Sequence, residues 1–274
     1  MNYRHAFHAG NFADLVKHAA LLELMRVLAQ APGPLTVIDT HAGRGFYDLG
    51  GVEARKSGEA QAGVVRLMGA PDAPGAYLPL KAAVSEANAK RREIGAYPGS
   101  PWLIARALRP GDRYLACELR PEEHAALRKT LGARAGVETV CADGFDLAVE
   151  RCPAKGPVLV LIDPPFEKPD DYPRIVEAVD GVRRRNAGAV VMVWLPLKDL
   201  ETFDGFLRDL EDVEPGPILV AETRLRPLSD PLKMNGCALV FVGAPKGLEA
   251  MLEPVCGWPA QAQGEGGSGR VWAV

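Results

Sequence analysis

The run Leu161-Ile162-Asp163-Pro164-Pro165-Phe166 sets a carboxylate, a proline carbonyl and an aromatic ring close together after an apolar stretch. Those groups suit chemistry at the exocyclic amine of a nucleobase. Such an amine is a poor nucleophile because its lone pair is delocalised into the ring, so activation needs acceptors for its N–H groups and a flat surface that fixes the base. Asp163 offers one acceptor, the Pro164 carbonyl a second, and the Phe166 ring a stacking platform worth about 1–3 kcal/mol. The two prolines stiffen the loop, so these groups are in place before substrate arrives. Asp-Pro-Pro can also simply end a strand, because proline lacks the N–H that a ladder needs. The apolar run before it and the aromatic after it favour a site.

A second pattern, Asp39-Thr40-His41-Ala42-Gly43-Arg44-Gly45, reads as a ligand loop in which glycine lets the backbone approach closely. Asp48 stands where a dinucleotide loop wants a third glycine under a pyrophosphate, and its charge would repel one. S-adenosylmethionine, cationic at sulfur and free of phosphate, fits better. Acids recur at four successive strand ends, Asp39, Glu118, Asp143 and Asp163. Glu118 is placed to accept from ribose hydroxyls, Asp143-Gly144 to read an adenine edge, and Gly43 lies in the loop itself. A single acid after a strand is commonly a helix cap, so the recurrence carries the weight.

The segment Tyr3-Arg4-His5-Ala6-Phe7-His8 interleaves aromatic and cationic side chains, which suits phosphate contact and stacking on an unpaired base. No nearby acid or cysteine completes a ligand set for His5 and His8, so no metal is expected. Asp163-Pro164-Pro165-Phe166 resembles the motif of amino-methyltransferases that act on adenine N6, cytosine N4, guanine N2 or glutamine N5. Asp at its first position leans towards adenine, and Phe166 stands where many relatives carry Tyr. YRHAFHAGNFADLVKH (3–18), DTHAGRG (39–45), YPGSP (97–101), ADGF (142–145) and LIDPPFE (161–167) together resemble, in order and spacing, the RlmJ family of bacterial 23S rRNA adenine-N6 methyltransferases. The resemblance covers nearly the whole chain. It implies that His18, His41, Ser100, Glu118, Asp143, Gly144 and Asp163 contact the cofactor. It also implies that Tyr3, His5 and Lys17 serve substrate engagement and catalysis, that Asp163 accepts from the amine, and that the substrate is protein-free 23S rRNA with no metal required. The residues alone leave open a DNA adenine, a protein glutamine, or a non-catalytic RNA-binding module.

The elements that must hold these residues follow from the apolar pattern. Residues 14–29 carry apolar positions at helical spacing and stop at a Pro-Gly-Pro breaker. Seven strand candidates follow, at 35–39, 114–118, 137–142, 158–163, 189–195, 218–223 and 238–242, the first five apolar enough for burial on both faces. Alternating with helices, they predict an α/β, Rossmann-like fold with a seven-stranded, mostly parallel sheet. That sheet is the one class I methyltransferases use. The expected division is 1–45 with 112–274 as the catalytic domain, and 46–111 as a helical insertion without a good strand. Residues 261–270 read as a polar loop.

The 274 residues are 47% hydrophobic, enough for a large core, and the net charge of −3 gives no general affinity for polyanions. Any RNA surface must therefore be local, with 90–92 and 183–185 the basic runs to test. Five scattered cysteines suit a reducing compartment. Without a signal-like leader or an apolar run near ~20 residues, a cytoplasmic protein is expected, with a monomer as the default.

Overall fold

The computed structural model describes residues 8–51, 57–214, 216–228, 234–264 and 266–274. Helix α1 (Phe12–Leu28) opens at Asn11, whose side chain accepts from the Asp14 N–H at 3.0 Å. Strand β1 (Thr36–Asp39) follows and ends in the glycine turn. Alternate residues of the strands face opposite layers: Val37, Leu159 and Leu161 pack into one core, Ile38, Val160 and Ile162 into the other. Burial on both faces is what places these strands in the middle of the sheet.

That sheet has eight strands where seven were expected. Beside β1 lie β4 (Arg113–Cys117) and β5 (Val137–Val140) on one flank. On the other lie β6 (Val158–Ile162), β7 (Val190–Leu197), β9 (Gly236–Val242), β8 (Ile218–Arg224) and β10 (Ser268–Ala273), in that spatial order. The first five are parallel, and β9 and β10 run against their neighbours. The chain order reverses at β1, so the carboxyl ends of β1, β4, β5 and β6 open onto one crevice. β5 is the sheet's edge and only half-buried, not covered on both faces as its composition suggested.

Two expectations are corrected. Between Gly45 and Asp112 there are strands: β2 (Phe46–Asp48) and β3 (Ala96–Pro98) pair antiparallel, Tyr47 opposite Tyr97. Three residues are too short to show a period, and the partner lies far away in sequence. Near the carboxyl end, the helix Leu248–Gln263 runs into the expected loop and β10 takes up its last three residues, paired with β8. Gly269 permits this, because a Cβ there would lie 2.4 Å from the Cys256 carbonyl carbon. Between β2 and β3 lie a π-helical turn (Gln61–Val65), short helix α2 (Arg66–Gly69) and helix α3 (Leu78–Ala87). Helix α4 (Ser100–Ala107) then leads back to the sheet.

Candidate active site

Asp163 follows β6 directly, and α1 crosses close enough for Lys17 Nζ to donate to its Oδ2 at 2.6 Å. The same ammonium lies 3.0 Å from Asp14 Oδ1 and 6.0 Å from the centre of the Trp194 ring. Lys17 and Asp14 are each about 95% buried, so two carboxylates neutralise one cation in a nearly dry setting. Pro164 is buried, and the chain then turns sharply at Phe166, where φ is +51°. A bulky residue in the left-handed region is strained, a feature that clusters at functional sites. The Phe166 ring is braced by Tyr172 and Trp194, with centroids at 5.1 and 5.9 Å.

The glycine turn is shaped from below. Gly43 has φ +63°, and a Cβ on it would lie 2.6 Å from the Tyr47 hydroxyl, so only glycine fits. Its N–H donates to Glu118 Oε2 at 2.9 Å, while Oε1 accepts from the Arg120 N–H at 2.8 Å. Each oxygen keeps lone-pair capacity for a further donor. Burial nevertheless pushes the Glu118 carboxyl up, against the pull of those two N–H groups. Asp39, fully buried, accepts from Ser100 Oγ at 3.0 Å and the Tyr114 hydroxyl at 3.2 Å.

The Thr40 hydroxyl donates to the Leu161 carbonyl, so it must accept from His41 Nδ1–H at 2.7 Å, which leaves His41 Nε2 an acceptor. Burial pulls the His41 pKa down to about 4, and its ring meets Phe145 edge-on. His18 Nδ1 lies 2.7 Å from the Tyr97 hydroxyl, which burial keeps protonated.

Asp143 caps the helix Gly144–Arg151 through the Phe145 N–H at 3.1 Å, and Arg174 pairs with the same Oδ1 at 3.0 Å. Burial opposes ionisation, but these partners hold the carboxyl below its usual range. Gly144 has a packing reason for being glycine: a Cβ would meet the Thr40 carbonyl at 1.9 Å.

Around the carboxyl ends of β1, β4, β5 and β6, contacts join Lys17 to Asp163, His18 to Tyr97, Ser100 to Asp39, Gly43 to Glu118 and His41 to Phe145, with Gly144 against Thr40 and with Pro164 and Phe166 following Asp163. Tyr3 and His5 lie outside the described residues. Sequence reasoning gave no role to Asp14, Tyr97, Tyr114 or Arg174. Of these, Asp14 lay within the YRHAFHAGNFADLVKH run and Tyr97 opened the YPGSP run, whereas Tyr114 and Arg174 carried no signal. Among the described residues no group of three or more His, Cys, Asp or Glu could hold a metal ion, and no helix is long and apolar enough to cross a membrane.

A doubly wound sheet whose consecutive strand ends carry acids around a glycine turn defines a class I, S-adenosylmethionine-dependent methyltransferase. The donor set fits that group: carboxylates for hydroxyl, amine and sulfonium, and a turn that a side chain would fill. Residues 32–274 match the family model described as "Ribosomal RNA large subunit methyltransferase D, RlmJ". The chain is 32% identical to ribosomal RNA large subunit methyltransferase J of Haemophilus influenzae over 100% of its own length and 98% of the relative's. It is also 32% identical to the Escherichia coli protein of that name, over 94% and 92% of the two chains. A Legionella pneumophila crystal structure superimposes with a TM-score of 0.84 at 26% identity, covering 97% of this chain and 98% of that one. The chain belongs to the RlmJ family of large-subunit ribosomal RNA methyltransferases.

Proposed function

We propose that this methyltransferase acts on the N6 amine of an adenine in 23S rRNA, with Asp163 as the positioned acceptor. The observation that carries the reading is the Lys17–Asp163 pair at 2.6 Å, which ties one carboxylate oxygen to α1 and leaves the other for the substrate amine. The Pro164 carbonyl is the second acceptor, and the target base, extruded from its helix or loop, stacks on the braced Phe166 ring. Extrusion costs a few kcal/mol, least for a base already unpaired. Two N–H acceptors draw the amine lone pair out of conjugation with the ring. The neutral amine holds its protons tightly until it is alkylated, so Asp163 contributes orientation and takes up the proton only as the new N–C bond completes.

S-adenosylmethionine, when bound, supplies the electrophilic methyl group. Glu118 accepts from its ribose hydroxyls and Asp143 reads its adenine edge, while Gly43, Gly144, His41, Ser100 and His18 line the remainder. Nε2 of His41 is suited to a donor. Tyr3 and His5 engage the RNA. Residues 46–111 form the insertion that covers the substrate, and residues 1–45 with 112–274 form the catalytic domain. The enzyme works as a monomer in the cytoplasm on rRNA not yet covered by protein.

Methyl transfer to protein-free 23S rRNA, to DNA and to protein, measured side by side, tests the substrate. Asp163→Ala is expected to abolish turnover while S-adenosylmethionine affinity stays within about threefold, since Asp14 still neutralises Lys17. Turnover at the wild-type rate by that variant removes the role.

A further inference from the structure

Asp14 was not among the residues expected to do chemistry, yet it is the most connected carboxylate of α1. Its Oδ1 lies 3.0 Å from Lys17 Nζ, and its Oδ2 accepts from the Gly10 N–H at 2.9 Å. The Gly10 carbonyl in turn accepts from the Val64 N–H at 2.8 Å. A single residue, Gly10, therefore joins the amino-terminal motif and the π-helical turn to the ion group that ends at Asp163. A buried carboxylate held by a backbone N–H is fixed in place and charged. Such a group beside Lys17 does two things at once: it aims the ammonium, and it takes a share of the ammonium's charge.

We propose that Asp14 is a positioning residue of the methyl-transfer reaction, holding Lys17 on Asp163 and dividing its charge so that Asp163 stays a competent acceptor. This rests on the reading of Asp163 given above. With Lys17 paired to Asp163 alone, the carboxylate's electron density would be committed to the ammonium, leaving a poorer acceptor for the adenine N–H. With Asp14 present the cation is shared, and Oδ1 of Asp163 keeps its capacity. Among the described residues, the titratable groups electrostatically coupled to Asp14, Lys17 or Asp163 include His8, Asp39, Tyr97 and Cys237, and the Trp194 ring turns its π face to the ammonium.

Asp14→Asn keeps an oxygen for the Gly10 N–H and removes the charge. It is expected to lower kcat about tenfold and to leave KM for S-adenosylmethionine within about twofold. Because Asp14 acts through Lys17, the same substitution in a Lys17→Gln background is expected to cost less than about twofold. An equal loss in both backgrounds would overturn the proposal by reducing Asp14 to a helix-packing residue. Should Asp14→Asn lose its fold by circular dichroism, Asp14→Ser, which also keeps an oxygen without the charge, is read against the same criteria. Activity in Asp163→Ala would instead remove the underlying reading, so the two failures are told apart.

Discussion

At the scale of single residues, burial rather than charge sets the behaviour of Asp39. Fully buried at the end of β1, its carboxyl is pushed up to about 7 from an ordinary 3.8, with the hydrogen bonds from Ser100 and Tyr114 opposing the rise and the field of Asp163 adding to it. Between those two values the folded chain holds a proton that the unfolded chain has released. Stability therefore falls as pH rises from about 4 to about 7, and stays at the lower level above that. The full difference is about 4 kcal/mol as an order of magnitude. Asp39→Asn keeps an acceptor, adds donors that Ser100 and Tyr114 can accept from, and cannot ionise. Its Tm is expected to exceed that of the wild type at pH 8, with the gap closing towards pH 4.5. Thermal melts across that range are the check, and parallel curves would show that Asp39 is not the titrating group.

At the scale of elements, what could be read from the sequence divides by the range of the interaction. The ends of β1, β4, β5 and β6 were legible because an apolar run stopping at an acid is local, and Asp39, Glu118, Asp143 and Asp163 sit at or just after them. β2 and β3 were not, since each is three residues long and exists only through the other. β10 was hidden by its glycines, which look like a loop until β8 supplies a partner. Asp14 was hidden for the same reason: nothing near it in sequence reveals that Asp163 will meet Lys17. The contact between α1 and the π-helical turn also belongs to this class. A Cβ on Gly63 would lie 2.0 Å from the Gly10 carbonyl oxygen and 2.9 Å from the Asn11 Cα, all backbone, so one side must shift. Gly63→Ala is expected to break the Val64–Gly10 bond and speed amide exchange at Val64 about tenfold or more, while the β6 amides keep their protection. Unchanged exchange at Val64 would mean that the two segments are not held together there.

At the scale of the whole molecule, a chain with net charge −3 must hold an RNA through local basic surface, and the structure separates its two basic runs. Arg183 donates to Glu214 and to the carbonyls of Ala187 and Ala189, Arg185 to the Cys152 carbonyl, and Arg184 pairs with Asp180. That run is largely occupied in holding its own helix end against its neighbours. Lys90, Arg91 and Arg92 instead stand exposed beyond α3, in the segment between β2 and β3, with no carboxylate partner among the described residues. Phosphate contacts release counterions, so each one lost lowers the slope of log K against log salt by about 0.7 to 0.9. Replacing Lys90, Arg91 and Arg92 together by Glu is expected to weaken 23S rRNA binding and flatten that slope by about 2, with S-adenosylmethionine affinity unchanged. Arg184→Glu breaks only an exposed pair, worth about 0.5 kcal/mol, and is expected to leave both affinity and slope where they were. Titrations between 50 and 200 mM salt, roughly the range over which such slopes are resolved, distinguish the two. The opposite ranking would move the RNA path from the insertion to the helix Asp171–Arg185.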